Sequence, residues 1–263
     1  MQKSPLTKDD WGYEDHNGPH KWHEPFPVAR AKRQSPIDIL TNKAKYDGKL
    51  VKNPLTMNYE SESGLEIANT GHSIQAAITK HSVLEGGPLT DKYALAQFHL
   101  HWGSEKGRGS EHTIDGKNYE AELHLVHYNE KYGSFGNAVD KSDGLAVVGI
   151  MLLEGDKQYD GLSPISDGAR NVPKSKDKYK LSNNFHPANL LPGNTKDYWT
   201  YLGSLTTPPL FESVTWIVLK DPIVMSKKQL ENLRSMQDCH DLKMVNNYRP
   251  PCPIEGREVS KSF

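Results

Sequence analysis

From Gln34 onward the chain breaks into short runs of strand-forming residues: S-P-I-D-I-L, G-L-E-I-A-N, S-I-Q-A-A-I-T, Y-A-L-A-Q-F-H-L-H-W, Y-E-A-E-L-H-L-V-H-Y, L-A-V-V-G-I-M-L-L and V-T-W-I-V-L. Gly, Pro and Asn separate them. So many strands at this spacing point to a predominantly β fold. The longest apolar run, Leu145 to Leu153 between Gly144 and Glu154, is far too short to cross a bilayer as a helix and reads as a buried strand. Ile114-Asp115-Gly116-Lys117 suits a two-residue hairpin turn, because Asp-Gly tolerates the positive backbone angles of a type I′ turn. Such a turn folds the strand carrying His124 back against the segment carrying Glu111. One helix is expected at about 226 to 236, where Ser226 and Gln229 form a capping box and Leu230, Leu233 and Met236 line one face. Residues 155 to 184, rich in Gly, Pro and Lys, read as surface loop with short helical turns at most. Residues 11 to 27, dense in aromatics and His, read as an irregular lid on a surface.

With 263 residues, no Ser/Gly-rich linker and no shift in composition, a single domain over 1–263 is expected, with 1–10 as a flexible tail. The formal net charge is -1, with acids and bases interspersed. That balance gives no reason to expect nucleic acid or a membrane surface as partner, and favours a small or neutral substrate. The start, M-Q-K-S-P-L-T-K-D-D, lacks the apolar core of a secretory signal. Only Cys239 and Cys252 occur, and there is no N-x-S/T acceptor. These features suit free thiols in a reducing cytoplasm.

Chemistry concentrates between Gln97 and His124. Strand side chains alternate between faces at about 3.3 Å per residue, so His99 and His101 share a face roughly 6 to 7 Å apart, with Gln97 one step earlier. In the following strand Glu122, His124 and Val126 share a face while Leu125 and His127 point away. Side by side, the two strands bring three imidazoles together. Three neutral imidazoles suit zinc, and they leave a fourth tetrahedral position for water, which indicates catalysis rather than a structural staple. Gln97 and Glu122 are the natural acceptors for the outer ring N–H groups. A lone H-x-H pair is common in strands without metal; the joint pattern is more specific. His127, and the histidines of residues 11 to 27, read as structural.

The segments Q-F-H-L-H-W-G-S, G-S-E-H-T and A-E-L-H-L-V-H resemble the α-class carbonic anhydrases. So do W-G-Y at Trp11, R-Q-S-P-I-D-I at Arg33, N-T-G-H-S at Asn69, D-G-L-A-V-V-G at Asp143 and D-Y-W-T-Y-L-G-S-L-T-T-P-P-L at Asp197, so the likeness covers nearly the whole chain. The intracellular branch matches better, since the extracellular cysteine pair is missing. The resemblance implies a large, twisted, mostly antiparallel central sheet with short peripheral helices and one Zn2+ at the base of a conical cavity. It makes His99, His101 and His124 the zinc ligands, with Gln97 and Glu122 supporting them. Thr206 becomes the residue whose hydroxyl orients hydroxide on zinc and donates to Glu111, and His72 becomes the proton shuttle. Tyr13, Thr70 and Gln75 match positions that hold a water chain, while Val126, Val147, Leu205, Thr206, Thr207, Val214 and Trp216 match the substrate site.

The implied activity is reversible hydration of carbon dioxide to bicarbonate and a proton, with water as co-substrate and the enzyme a monomer. Zinc lowers the pKa of its water to about 7, a figure that carbonic anhydrases themselves established. Carbon dioxide has three heavy atoms; at about 1.5 kcal/mol each, binding reaches roughly 4.5 kcal/mol, or about millimolar affinity. Rate must therefore come from the metal and from orientation. Three departures from the commoner pattern lie near the site, at Thr70, Ser73 and Gln75, with two more at Tyr128 and Phe211. Two other readings stand beside this one. A non-catalytic binding module of the same fold loses zinc histidines, which this chain keeps, and ester hydrolysis by the same hydroxide is a possible side activity.

Overall fold

The computed structural model of the chain describes residues 6–263. Half of the expected tail, residues 1–5, lies outside the described residues. Residues 6–10 are tied down: Asp10 N–H donates to Thr7 O, and Leu6 N–H donates to Glu24.

Seven strands carry the architecture: β1 (Glu66–Asn69), β2 (Ile74–Ala77), β3 (Tyr93–Trp102), β4 (Ala121–Asn129), β5 (Leu145–Gly155), β6 (Tyr198–Gly203) and β7 (Val214–Leu219). In space they run β1-β2-β3-β4-β5-β7-β6, within a 13-stranded sheet that Lys178–Lys180 extends beyond β1, and Ser260–Lys261 and Lys45–Tyr46 beyond β6. Most pairs are antiparallel, whereas β5 and β7 are parallel. Both faces are covered. Ala146, Val148, Ile150 and Leu152 of β5 enter one core with Leu123 and Leu125 of β4 and with Ile217 and Leu219 of β7. The alternate residues Leu145, Val147, Met151, Val126, Val214, Trp216 and Val218 enter a second core on the other face. Burial on both sides is why β5 reads as a continuous apolar run.

A bulge sets the parity of β3. Val126 pairs with Gln97 but His127 pairs with Leu95, so Ala96 is the extra residue. Before it the odd positions Tyr93 and Leu95 face the first core; after it the even positions Phe98, Leu100 and Trp102 do. The one-residue shift exchanges the two faces. Gln97, His99 and His101 are thereby turned away from that core.

The Asp-Gly turn forms as the sequence predicts: Asp115 and Gly116 both have positive φ (49° and 75°), and Ile114 and Lys117 bridge. A helix spans Lys227–Arg234; its Ser226–Gln229 capping box is present, and Leu230, Leu233 and Met236 are buried. The reading of 155–184 as surface loop needs correcting. Asp160–Leu162 and Ala169–Asn171 are 3-10 turns flanking α1 (Ser163–Gly168), and Leu162, Ile165, Ala169 and Val172 all join the first core. Pro164 sits in the first turn of α1, where its missing N–H breaks no helical bond.

Candidate metal centre

His99 and His101 come from β3 and His124 from β4, where His124 pairs directly with His99. Each ring has one nitrogen committed outward. His99 Nδ1–H donates to Gln97 Oε1 (2.9 Å), His101 Nδ1–H to the Asn247 carbonyl (2.7 Å) and His124 Nε2–H to Glu122 Oε1 (2.8 Å). All three acceptors are oxygens, so these tautomers leave lone pairs on His99 Nε2, His101 Nε2 and His124 Nδ1. Those three atoms converge: the trio is a group whose ligand atoms all lie within 4.8 Å of one another.

Burial pushes the His99 ring well below its ordinary pKa, with further lowering from His101 and His124; Glu122 opposes it. His101 is lowered chiefly by burial, against the pull of Glu111. Both rings are therefore neutral at neutral pH, the state in which imidazole ligates metal. Burial raises the Glu122 carboxyl, but His112 and His124, by charge and by hydrogen bond, overcome it and hold the group below the usual carboxylate range. Its anionic Oε1 accepts hydrogen bonds from His124 Nε2–H and from His112 Nδ1–H (2.7 Å), and its Oε2 accepts from the backbone N–H of Glu111 and of His112 (both 2.8 Å).

Glu111 completes the charge pattern. Its Oε1 accepts from Arg249 N–H (2.8 Å), while its Oε2 is buried without a hydrogen-bond partner, 3.4 Å from His101 Nε2 and 3.9 Å from His124 Nδ1. His101 Nε2 is likewise buried and unpartnered. Bare acceptors at such distances repel unless a cation or a proton joins them. The donor set fits a divalent ion that favours nitrogen ligands.

Above the trio lies a cavity of about 220 Å³ lined by Trp11, Tyr13, Thr70, His72, Ser73, Gln75, Gln97, His99, His101 and Thr207. Gln75 stands across from His99 in the β2–β3 register. The Thr70 hydroxyl is engaged in the turn that presents His72, accepting from Ser73 N–H (3.0 Å). The Tyr13 hydroxyl is buried without a partner, and burial, with Glu111 adding, raises it well above its ordinary pKa. His72 stacks on Trp11, with ring centroids 3.8 Å apart. Burial there lowers its pKa to about 4, although Asp238 opposes the shift; His240 reinforces it. Val126, Val147, Val214 and Trp216 pack together in the second core with Leu205 against them, and the Trp216 ring lies 4.8 Å from that of His124. Thr206 is buried in the β6–β7 connection, which is anchored by Trp216 Nε1–H donating to Ser204 O (3.0 Å). No hydrogen bond joins Thr206 to Glu111.

Residues 17–263 match the eukaryotic-type carbonic anhydrases. The chain belongs to that family. Carbonic anhydrase 1 of Mus musculus is 45% identical over 266 residues, covering 98% of this chain and 100% of the relative. Carbonic anhydrase 7 of Homo sapiens is 46% identical over 261 residues, covering 96% of this chain and 97% of the relative. This carbonic anhydrase interconverts carbon dioxide and water with bicarbonate and a proton.

The sequence reading missed three neighbours of the site. Asn247 holds His101 through its carbonyl, Trp102 N–H through Oδ1 (2.8 Å), and the His72 carbonyl through Nδ2–H (2.9 Å). A backbone carbonyl has no sequence signature. His112 links Glu122 to the Tyr201 hydroxyl (2.6 Å), and the Asp-Gly turn was the signal that could have placed it there. Trp11, read as part of a lid and of the W-G-Y match, carried no sign of its stack on His72. His127 lies on the opposite face, as expected: Nδ1–H donates to Ala146 O (3.2 Å) and Nε2 accepts from Tyr59 (2.8 Å). Both cysteines are free. No helix among the described residues is long and apolar enough to cross a membrane.

Proposed function

We propose that His99, His101 and His124 hold one zinc ion per chain and that hydration of carbon dioxide takes place above it. The observation that carries this is the convergence of three imidazole nitrogens, one from each ring, whose opposite nitrogens are all engaged by oxygen acceptors. Bound there, zinc supplies a Lewis acid that makes hydroxide available near neutral pH, as is established for carbonic anhydrases as a class. Gln97, Glu122 and the Asn247 carbonyl fix the ring tautomers and orientations. Thr206 orients the attacking oxygen, with Glu111 as acceptor for its hydroxyl; the unpartnered Glu111 Oε2 supports that role. The apolar group of Val126, Val147, Leu205, Val214 and Trp216 places carbon dioxide, with Thr207 at the cavity edge. A three-atom substrate gains too little from contact to be held tightly, so these side chains act by orientation.

Tyr13, Thr70 and Gln75 line a path for water from the ion towards His72, which carries the proton out. The chain acts as a single monomeric domain in the cytoplasm, without nucleic-acid or membrane partners, and any ester hydrolysis is a side activity of the same site. Stopped-flow carbon dioxide hydration, run on protein of measured zinc content with and without a chelator and an aromatic sulfonamide, tests the reading. Activity should follow zinc and fall with either reagent; full activity in zinc-free protein would refute it.

A further inference from the structure

His72 borders a second cleft, which none of His99, His101 and His124 lines. The cleft holds about 10 Å³, room for a single water, and it is bordered by Tyr13, Glu14, His72, Asp238, His240 and Asn247. Its far wall is a loop locked to the His72 turn. Cys239 N–H donates to Gly71 O (3.1 Å), and Asp238 Oδ1 accepts from the N–H groups of His240 (2.8 Å) and Leu242 (3.0 Å). Behind the loop, the exposed ring of His16 meets that of His240 edge-on, with centroids 5.9 Å apart. The solvent-exposed imidazole of His240 thus borders the same one-water cleft as the proposed proton carrier, with His16 behind it.

We infer that His240, backed by His16, takes the proton from His72 through a water in this cleft and releases it to solvent. The inference rests on the reading of His72 as proton carrier. In the transfer, an N–H bond of the His72 imidazolium breaks towards the water as the water gives one of its own protons to a ring nitrogen of His240. The water is regenerated, and one positive charge moves from the first ring to the second. His240 then loses the proton to bulk water or buffer, directly or by way of His16. Stacked on Trp11 and half-buried, His72 gives up a proton readily in this pose, in line with its pKa of about 4. Among the other groups facing the cleft, the Tyr13 hydroxyl and the Cys239 thiol are raised by burial, stay protonated at neutral pH and are not competing acceptors. Asp238 Oδ1 is engaged by two N–H groups of the loop, the Glu14 carboxylate also borders the cleft, and His240 Nδ1 lies 3.4 Å from Cys239 Sγ.

The test compares turnover of zinc-loaded wild-type, His240→Gln, His16→Gln/His240→Gln and His72→Ala proteins in dilute buffer and in concentrated imidazole buffer. Expected are a several-fold lower turnover for His240→Gln in dilute buffer, a larger loss in the double variant, and recovery of both in imidazole. His240→Gln matching wild type in dilute buffer while His72→Ala is slow would overturn the relay and leave the carrier role of His72 standing. Wild-type turnover in His72→Ala would remove both. A loss in His240→Gln that imidazole does not recover would mean a structural effect, and would also overturn the relay.

Discussion

At the residue scale, one carboxylate ties the ligand set together. Glu122 accepts from His124 and His112 through Oε1 and from two backbone N–H groups through Oε2, all within a region shielded from water. Replacing it by Gln exchanges one acceptor oxygen for an NH₂ that cannot accept, so either His124 or the backbone pair loses its partner. Outer partners of ligating histidines are typically worth 10–100-fold in metal affinity. Glu122→Gln should bind zinc roughly 10–100-fold more weakly, read by competition against a chromophoric chelator. An unchanged affinity would show that Glu122 does not act through His124. On the opposite face, His127 makes a separate prediction. Burial lowers its pKa from 6.5 to about 3, despite the backbone hydrogen bonds that oppose the shift. Unfolded chains therefore bind a proton at this residue that the native state refuses, and stability falls as pH drops from about 6.5 towards 3. The contribution is present in full above pH 6.5. Its slope is at most about 1.4 kcal/mol per pH unit. Urea unfolding of metal-free protein at several pH values should show wild type losing stability more steeply than His127→Gln; parallel curves would remove this account of its acid sensitivity.

At the element scale, the bulge at Ala96 changes which sequence parity of β3 faces the core. Deleting Ala96 removes the extra residue and leaves the pairs Val126–Gln97 and His127–Leu95 adjacent, so Tyr93 and Leu95 keep the core face and Gln97, His99 and His101 the opposite one. The strand loses only the bond from Ile78 N–H to Ala96 O. The deletion should therefore retain stoichiometric zinc with a modestly lower melting temperature, measured by metal analysis and circular dichroism. Loss of zinc would show that the bulge itself shapes the site. Simple alternation made the histidine motif legible from sequence, because Gln97, His99 and His101 all lie on one side of the bulge, as do Glu122, His124 and Val126 of the partner strand. The bulge itself was not legible: alternation within Y-A-L-A-Q-F suits either parity, and only the partner strand chooses between them. In 155–184, Gly168 read as a helix breaker. It serves close packing, since a Cβ there would lie 2.4 Å from Ile67 Cδ1. Asn247 stayed hidden because its decisive contact is a main-chain carbonyl more than a hundred residues away in sequence.

At the scale of the whole molecule, the metal centre is where distant parts of the chain meet. β3 and β4 supply the ligands, the Asp-Gly hairpin returns Glu111 and His112 to Glu122, and the C-terminal segment delivers Asn247 to His101 and Arg249 N–H to Glu111. Unfolding scatters these groups, so an ion bound by the folded site stabilises the entire fold by mass action. With free zinc a thousandfold above its dissociation constant, the gain is about 4 kcal/mol. For a chain of this size each kcal/mol is worth about 2–4 °C, so stripping zinc should lower the melting temperature by on the order of 10 °C. Adding zinc back should restore it. Glu122→Gln should recover less at the same zinc concentration, because its weaker site gains less by the same relation. Carbon dioxide is not required for this measurement, so it separates the metal's place in the fold from its place in catalysis. A melting temperature indifferent to zinc would mean that these convergent nitrogens are held by the protein alone.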